Sequence, residues 1–507
     1  MLGYVITALG HIIEPLNILL MLGGLIGGIV IGALPGLTAT MGVALMVPVT
    51  FAMDPISGLI MLGAIYAGAI YGGSNSACLI RTPGTPSSVA TTFDGFPMCQ
   101  AGKADEALQT ALLASAFGGV VGTFFLLFMS EPLATFALKF GGPEVFWLCI
   151  FGLSSIAVMS RDNMLKGLLS GGLGLLISTI GIDPNSGVPR FIFGYYPLAQ
   201  GIEIIPAMIG LFSFSQVMVL LGSNRQFIAE YSPSKGAFGR VLRKLVADCK
   251  INLLRSSTIG TIIGMLPGAG GEIASIIAYN EAKRWDKESA RFGTGIIEGV
   301  AASESANNAV IGGSLIPMLT LGIPGSAVAA VILGALLAHG IQPGFKIFAE
   351  TGDLAYTFII SQLAVNILMV PVGYLMAKVM AKILNIRLTL VAVAIVTLSF
   401  IGSYAISNSM LDVWVVVGFG VIAFFGGLVG LDTGAMALGI ILGPMVEENL
   451  GKCVNLAKAE GSIWQVFLAS PISILLILLT LLSILAPILL GLRKKCRKTP
   501  SCMETLS

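Results

Sequence analysis

Apolar segments follow one another along almost the whole 507-residue sequence, most of them near the length of a bilayer span and several short enough to be half-helices. A membrane helix rises about 1.5 Å per residue and needs roughly 20 apolar residues to cross the hydrocarbon core. Hydropathy places apolar segments over residues 12–34, 37–53, 56–72, 107–129, 143–160, 164–182, 201–222, 251–266, 268–280, 294–312, 328–343, 353–378, 388–407, 412–430, 433–447 and 464–492. Because backbone polar groups must be paired inside lipid, this pattern predicts an all-α polytopic membrane protein.

The composition agrees with a membrane protein and excludes several other classes. Only 11% of the residues are charged, whereas a soluble globular chain has about 25%. This excludes a disordered protein, a nucleic-acid binder and almost any soluble enzyme. The 64 glycines suit close helix packing and interrupted helices. The seven cysteines form no CxxC pair and are interpreted as small apolar fillers. No basic region precedes the first apolar segment, which we expect to be retained.

Four ordered motif matches indicate an internal duplication. They pair GALPG at 32–36 with GMLPG at 264–268, GGS at 72–74 with 312–314, PGT at 83–85 with PGS at 324–326, and GID at 181–183 with GLD at 430–432. The matched positions are separated by 232 to 249 residues and keep their order. One such match would be weak, but four across the chain favour two repeats.

Basic residues favour an inverted orientation of the two repeats. The loop at 51–55 has no Lys or Arg, whereas its counterpart near 281–292 has four. Basic loops lie on the cytoplasmic side of a membrane, so the two loops should lie on opposite sides, although Lys452 and Lys458 run against this bias. The predicted organisation is residues 1–222 as first repeat, 223–250 as basic cytoplasmic linker, 251–450 as second repeat, 451–492 as extra transmembrane helix and 493–507 as basic cytoplasmic tail. The N-terminus is then periplasmic and the C-terminus cytoplasmic.

Proline and glycine interrupt the apolar pattern at equivalent places in both halves. The interruptions cover residues 32–40, 72–90, 264–272 and 303–326, and they predict broken or re-entrant helices that meet near the midplane. Free N-terminal NH groups of half-helices bind anions. The predicted substrate-binding residues are Pro35, Gly36, Thr38, Ser74, Asn75, Ser76, Arg81, Pro83, Gly84, Thr85, Pro267, Gly268, Gly313, Ser314, Pro324, Gly325 and Ser326. The alternative for each interruption is a plain kink.

Two charged positions in these regions point to ligands. Arg81 precedes a Pro-Gly pair and could hold a carboxylate in bidentate fashion; alternatively it reaches back to the interface. Glu304 shares a helix face with Asn308, beside the neighbouring pair of Ser303 and Asn307. This group predicts a Na⁺ or H⁺ coupling site, with interhelical hydrogen bonding as the alternative. Apart from transported Na⁺, no metal site and no cofactor are expected.

The longest of these stretches resemble the large permease subunit of the tripartite tricarboxylate transporter family. They are GALPGLTATMGVALMVPVTF from Gly32, YGGSNSACLIRTPGTPSSVATTFDGFPM from Tyr71, GMLPGAGGEIASIIAYNEAKR from Gly264 and EGVAASESANNAVIGGSLIPMLTLGIPGSAVAAVILGALLAHGIQPG from Glu298. The resemblance implies a multi-pass secondary transporter of the bacterial inner membrane. It also implies a small membrane subunit and a periplasmic substrate-binding protein as partners, and citrate or related carboxylates as substrates. The implied driving force is a Na⁺ or H⁺ gradient.

The sequence leaves other functions open. A passive channel for anions or small solutes would also accommodate an inverted duplication. An intramembrane enzyme lacks support, because no nucleophile with a base in reach is evident, and the Walker A, HExxH and GxSxG motifs are absent. We therefore expect a transporter and not an enzyme. A homodimer is one assembly that the sequence leaves open.

Overall fold

The structure is a computed structural model that describes residues 2–159, 164–183, 186–221, 234, 236–268, 270–380 and 388–498. Six helices of this described part are long and apolar enough to cross a membrane: Pro15–Ala33, Pro55–Ile80, Ala104–Phe136, Ile204–Leu221, Gly352–Ala377 and Met410–Leu428. The prediction of a predominantly helical polytopic membrane protein is therefore confirmed.

The chain forms two compact units, and unit 1 contains residues 1–137 and 203–425. Its first part contains α1 (Leu2–Ile13), α2 (Pro15–Ala33), α3 (Ala39–Phe51), α4 (Pro55–Ile80), α5 (Thr92–Gln100) and α6 (Ala104–Ala137). Its second part contains α9 (Ile204–Met208), α10 (Ser215–Leu221), α11 (Ala237–Ala247), α12 (Lys250–Gly264), α13 (Gly270–Trp285), α14 (Ile297–Leu321), α15 (Ala327–Ala338), α16 (Phe345–Ala349), α17 (Gly352–Ala377), α18 (Leu388–Ser407) and α19 (Met410–Leu428). A π-helical turn, Ile209–Phe214, joins α9 to α10.

Unit 2 contains residues 138–202 and 426–507. Its helices are α7 (Gly142–Met159), α8 (Met164–Ser178), α20 (Thr433–Glu460), α21 (Ile463–Phe467) and α22 (Pro471–Lys498). A short antiparallel hairpin pairs β1 (Gly181–Ile182) with β2 (Pro189–Arg190). α20 packs along α7 and α8, and α22 packs along α7.

Glycines set the closest contacts between α2 and α4. A Cβ atom added to Gly28 would lie 2.4 Å from the carbonyl oxygen of Ile65, and one added to Gly32 would lie 2.0 Å from that of Ala69. Real Cβ atoms do not approach a carbonyl oxygen this closely, so only glycine allows the two backbones to touch. We call this contact the first glycine seam.

A second glycine seam joins α12 to α14 in the same way. A Cβ atom on Gly260 would lie 2.2 Å from the carbonyl oxygen of Ala306, and one on Gly264 would lie 2.7 Å from that of Val310. The two glycines lie 232 residues after those of α2, and the two carbonyls lie 241 residues after those of α4. The same packing thus occurs twice, as a duplication predicts, while the inverted orientation stays a prediction.

Two predicted interruptions are shorter in the structure than in the sequence pattern. α4 continues without a break to Ile80, and α14 continues to Leu321, so the GGS motifs at 72–74 and 312–314 lie inside helices. The reason is packing, because a Cβ atom on Gly72 would lie 2.4 Å from the carbonyl oxygen of Ile29. Glycine at this position brings two helices together and does not end one.

The basic segment 223–250 contains an amphipathic helix that hydropathy does not indicate. α11 buries Val241 and Leu245, and on its polar side Lys244 Nζ lies 2.9 Å from Glu298 Oε1. Residues 222–233 and 235 lie outside the described part. Near the other predicted boundary, α20 extends beyond residue 450 to Glu460, and the final long helix begins at Pro471. Of the predicted tail, residues 499–507 lie outside the described part.

Candidate functional site

The helices α4 and α14 correspond to each other in the duplication. Each ends at a residue with left-handed backbone conformation, and an extended turn follows. α4 ends at Arg81, with φ of +55°, and α14 ends at Gly322, with φ of +72°. After each end the chain folds back onto its own helix, because Gly84 N donates to Gly73 O (3.2 Å) and Gly325 N donates to Ser314 O (3.3 Å). The breaks are therefore built alike.

The turns also pack against the helices that carry the glycine seams. A Cβ atom on Gly84 would lie 2.0 Å from the carbonyl oxygen of Gly32, and one on Gly325 would lie 2.1 Å from that of Gly264. A further link joins two predicted site residues, since Gly268 N donates to Gly325 O (3.2 Å). Each Pro-Gly turn thus completes a three-part contact of helix, helix and extended chain.

The other predicted substrate residues lie around these turns. Pro35 is buried and Gly36 is exposed in the turn after α2, while the hydroxyl of Thr38 caps α3 by accepting from Met41 N (3.1 Å). The hydroxyl of Ser326 caps α15 in the same manner, accepting from Ala329 N (3.2 Å). The remaining predicted residues lie in the body of a helix or in a turn: Ser74, Asn75, Ser76, Gly313 and Ser314 are buried within α4 and α14, Pro83 is half-buried, Thr85 and Pro324 are buried in the turns, and Pro267 is buried just after α12.

Glu304 lies at the centre of a cluster of hydroxyl groups. Its side chain is fully buried, and its carboxylate oxygens accept hydrogen bonds from Thr91 Oγ1 and from Ser115 Oγ, the latter at 2.9 Å. Ser303 Oγ lies 3.1 Å from Thr91 Oγ1. Among the described residues, Glu304 makes no ion pair with Lys or Arg. The cluster thus supplies oxygen atoms and one carboxylate without a protein counter-charge.

Two buried asparagines of the duplicated helices have amide groups that make no hydrogen bond of ordinary geometry in the described part of the chain, although the Asn307 amide lies next to the Glu304 carboxylate. They are Asn75 on α4 and Asn307 on α14, which are 0% and 1% exposed. Space around Asn307 is tight, because a Cβ atom on Gly271 would lie 2.7 Å from its Oδ1 and equally far from Ser87 Cβ. Burying an amide without a partner is costly, so these two side chains are the best candidates for ligand contacts.

The neighbouring Asn308 is engaged in protein contacts. Its Nδ2 donates to Ser115 O (2.8 Å) and to Asn366 Oδ1 (2.9 Å). Asn308 was predicted as an ion-coupling residue together with Asn307, and the structure brings both near Glu304 along α14. The observed bonds of Asn308 join α14 to α6 and α17, which is also the interhelical role that the sequence left open.

The Pro-Gly turn after α14 has different polar neighbours from the turn after α4. Tyr66 on α4 places its hydroxyl 3.3 Å from Ser314 Oγ and 3.0 Å from Ser326 Oγ. Tyr66 lies 241 residues before Asn307, the same separation as Pro83 from Pro324. At corresponding positions of α4 and α14, the first half thus has a phenol bonded to a Pro-Gly turn, and the second half has a buried amide beside Glu304.

Arg81 lies apart from the buried residues, at the exposed end of α4. It lines a cavity of about 510 Å³, here called the Arg81 cavity, together with Thr92, Phe96, Gln100, Tyr279 and Lys283. Its guanidinium carbon lies 5.8 Å from the centre of the Phe96 ring. Six residues separate Arg81 from Asn75, about 9 Å along a helix axis. Arg81 is thus exposed at the end of α4, whereas Asn75 is buried within that helix.

Sequence reasoning missed the residues that complete these sites. Thr91, Ser115 and Tyr66 contact residues 189 to 260 positions away in the chain, and nothing in the local pattern distinguishes them from ordinary polar residues. In the sequence pattern, Lys283 bears only on topology, as one of the four basic residues at 281–292. Thr91 could have been selected from its position in the TPSSVATTFDGFP stretch, where several polar residues follow a Pro-Gly pair.

Comparison with known proteins gives a family match over most of the chain. Residues 18–438 match the tripartite tricarboxylate transporter TctA family. An uncharacterized 52.8 kDa protein in the TAR-I ttuC' 3' region of Agrobacterium vitis is 36% identical over 489 residues, which cover 95% of each chain. An uncharacterized protein in the TAR-II ttuC' 3' region of the same organism is 36% identical over 236 residues, 46% of this chain and 96% of that one.

A comparison with solved structures gives only a distant match. The manganese transporter of Eremococcus coleocola is 14% identical, with 89% of this chain and 94% of that chain covered, at a TM-score of 0.14. A superposition this poor supports no statement about a shared fold.

Proposed function

The chain belongs to the tripartite tricarboxylate transporter TctA family, and on that premise we propose that it is the permease of an ion-coupled carboxylate importer. The substrates are tricarboxylates such as citrate, or related carboxylates. A periplasmic binding protein delivers them, and a small membrane subunit completes the transporter. The permease lies in the bacterial inner membrane, with its N-terminus periplasmic and its C-terminus cytoplasmic.

The observation that carries this proposal is the pair of buried asparagine amides. Asn75 and Asn307 are almost completely buried and make no hydrogen bond of ordinary geometry among the described residues, with Asn307 next to the Glu304 carboxylate. An unsatisfied buried donor or acceptor costs about 1–3 kcal/mol, and a bound carboxylate would satisfy the amide N–H groups. We propose that these side chains, with the hydroxyls of the first break, hold the substrate.

Glu304 is the proposed coupling group. A bare carboxylate is costly at membrane depth, and hydroxyl donors alone compensate its charge only in part. Because Glu304 makes no ion pair among the described residues, a Na⁺ ion or a proton would complete its charge balance. Thr91, Ser303 and Asn307 supply neutral oxygen atoms beside it, which is the ligand type that Na⁺ accepts.

Alternating access is proposed from the duplicated packing. The two glycine seams and the two Pro-Gly turns repeat one set of contacts. In transporters with inverted repeats, such paired broken helices lie at the substrate site, and the repeats exchange conformations to open it to either side. The opposite charge bias of equivalent loops supports the inverted orientation here.

Uptake into proteoliposomes tests the function directly. The full-length permease and its small subunit are reconstituted, the binding protein is added, and labelled citrate uptake is measured with and without an inward Na⁺ or H⁺ gradient. We expect accumulation above equilibrium that needs the binding protein and one of the gradients. Downhill flux that ignores both gradients would replace the importer with a passive channel.

Two variants connect this uptake to the site. Asn307→Ala should raise the citrate concentration for half-maximal uptake about 10- to 100-fold, the effect of losing one hydrogen bond to a charged group. Glu304→Gln should abolish the response to the gradient, because glutamine neither binds a proton nor neutralises Na⁺. The exposed Glu350→Gln is the matched control and should behave as the unaltered protein. A normal gradient response by Glu304→Gln would remove Glu304 from coupling.

A further inference from the structure

The Arg81 cavity has a charge pattern that the buried site does not explain. Arg81 and Lys283 line it from α4 and α13, and no Asp or Glu is among its lining residues. Within the described part of the chain, neither cation takes part in an ion pair. Two unpaired cations facing one cavity repel each other, so the arrangement favours binding of an anion between them.

The buried carboxylate of Asp94, which bonds two lining residues of the cavity, makes no ion pair with either cation in the described part of the chain. Asp94 of α5 is fully buried, and its Oδ1 accepts from the backbone N–H groups of Gly293 (3.0 Å), Gly295 (2.8 Å) and Ile296 (3.1 Å). Its Oδ2 accepts from Tyr279 Oη at 2.8 Å. These bonds fix the loop before α14 against α5, and none of them involves Arg81 or Lys283.

The cavity has the walls and size of a small-molecule site. Tyr279 stacks edge-on against Phe93 and Phe292, with ring centres 5.3 and 5.4 Å apart. Such packed rings give a fixed, low-dielectric wall that strengthens the field of nearby charges. The volume of about 510 Å³ lies within the range of about 300–1,000 Å³ usual for ligand pockets.

One connection places the cavity next to the coupling cluster. Thr92 lines the cavity, and Thr91, the residue before it, donates its hydroxyl to Glu304. The floor of the cavity is thus one residue away from the buried cluster. An anion that moves between that cluster and water at this end of α4 would meet Arg81 and Lys283.

We propose that the Arg81 cavity is a vestibule that binds polycarboxylate anions, with one carboxylate on Arg81 and a second on Lys283. The proposal rests on the proposed function for its substrate class. Two separated cations select an anion with at least two carboxylates, because a monocarboxylate neutralises only one of them. The basic loop at 281–292 follows directly, so the vestibule belongs to the cytoplasmic end, where imported substrate leaves.

Protection of a cysteine inside the cavity tests this binding locally. In Thr92→Cys, the alkylation rate of the new thiol by a soluble maleimide is followed by peptide mass spectrometry. Citrate should slow this reaction about tenfold or more, whereas acetate at the same ionic strength should have little effect. Adding Arg81→Gln and Lys283→Gln should abolish protection by citrate. The matched control, Lys287→Gln, removes the same charge from an exposed position outside the cavity and should leave protection intact.

Each outcome separates the vestibule from the transport function. Equal protection with and without the two cations would overturn the vestibule, whatever the uptake assay shows. Protection by acetate or inorganic phosphate equal to that by citrate would reduce the cavity to a general anion site and overturn its selectivity. Protection that disappears with the cations, in a protein that transports no carboxylate, would keep the vestibule as a binding site and reject the proposed importer. Both cations are exposed, so the variants should fold normally.

Discussion

A single thiol shows how surroundings set the chemistry of a residue. Cys249 follows α11 and is 1% exposed, packed with Val241, Leu245 and Leu253. Burial, with a smaller effect from Glu298 and other charges, raises the pKa of this thiol from 9.0 to about 12. The thiolate is the nucleophile in alkylation, so the folded protein should protect Cys249 through both burial and protonation.

Alkylation of Cys249 should therefore report unfolding of this region. At pH 9–10 the unfolded thiol is largely ionised, whereas the folded thiol keeps its proton up to about pH 12. We expect Cys249 to react with maleimide at least about 100-fold more slowly in the folded protein than after denaturation. In Lys250→Cys, a variant with a new thiol at the exposed neighbouring position, the new thiol should react quickly in the folded state. Equal rates for the two thiols would contradict the buried position of Cys249.

At the level of residues, the sequence predicts which side chains are unusual but not what they contact. Glu304 stands out because a carboxylate is rare in an apolar helix, and it is buried as expected. Its partners Thr91 and Ser115 lie 213 and 189 residues away, and a pattern confined to one segment contains no information on such contacts. Proximity in the sequence groups Arg81 with Asn75. In the structure, however, Arg81 is exposed at the end of α4 and Asn75 is buried.

Helix α2 carries two kinds of glycine that a sequence cannot distinguish. Gly28 belongs to the first glycine seam, whereas a Cβ atom on Gly27 would meet nothing within 4 Å. Gly28→Ala should lower the free energy of unfolding by about 1–3 kcal/mol or more, because the backbones must separate. Gly27→Ala should stabilise the helix by up to about 1 kcal/mol.

Thermal unfolding of the detergent-solubilised protein measures this difference. The comparison extends to the second glycine seam, where Gly260→Ala should behave like Gly28→Ala, since a Cβ atom there would lie 2.2 Å from the carbonyl oxygen of Ala306. If Gly28→Ala and Gly27→Ala melted at the same temperature, close backbone contact would not be what holds these helices together.

The long apolar helices were predicted more completely than the amphipathic helix α11. The apolar pattern places α2, α17 and α19 within a few residues of their observed positions, and it finds α6 but ends it eight residues early. It misses α11, because its three basic residues lower the mean hydropathy although one face is apolar. It also ends α4 too early, since glycine within an apolar helix signals close packing as readily as a break.

On the scale of the whole molecule, the topology itself can be tested. If the two repeats are inverted, the loop after α3 lies outside the cell and its counterpart after α13 lies inside. Ala52→Cys should react with a membrane-impermeant thiol reagent in intact spheroplasts. Lys287→Cys should react only after the membrane is permeabilised. Labelling of both positions from the same side would reject the inverted orientation and require a parallel duplication.

The division of the chain into two units was not foreseen from the repeats. The predicted boundary follows the order of motifs along the chain, whereas each observed unit combines segments from both halves. Motif order records how the sequence was duplicated, and long-range packing decides which helices form one body. A single sequence shows the order of the motifs but not the long-range packing.

The two glycine seams bear on the leakage of protons through the protein and across the membrane. Where backbones touch without intervening side chains, no gap remains for a file of water molecules, and protons cross membranes along such files. At Gly28, Gly32, Gly260 and Gly264 the seams therefore leave no room for such a file between α2 and α4 or between α12 and α14. A methyl group at Gly28 or Gly260 would therefore do more than destabilise the protein. By separating the two helices, it would let protons leak and dissipate the gradient that the protein is proposed to use.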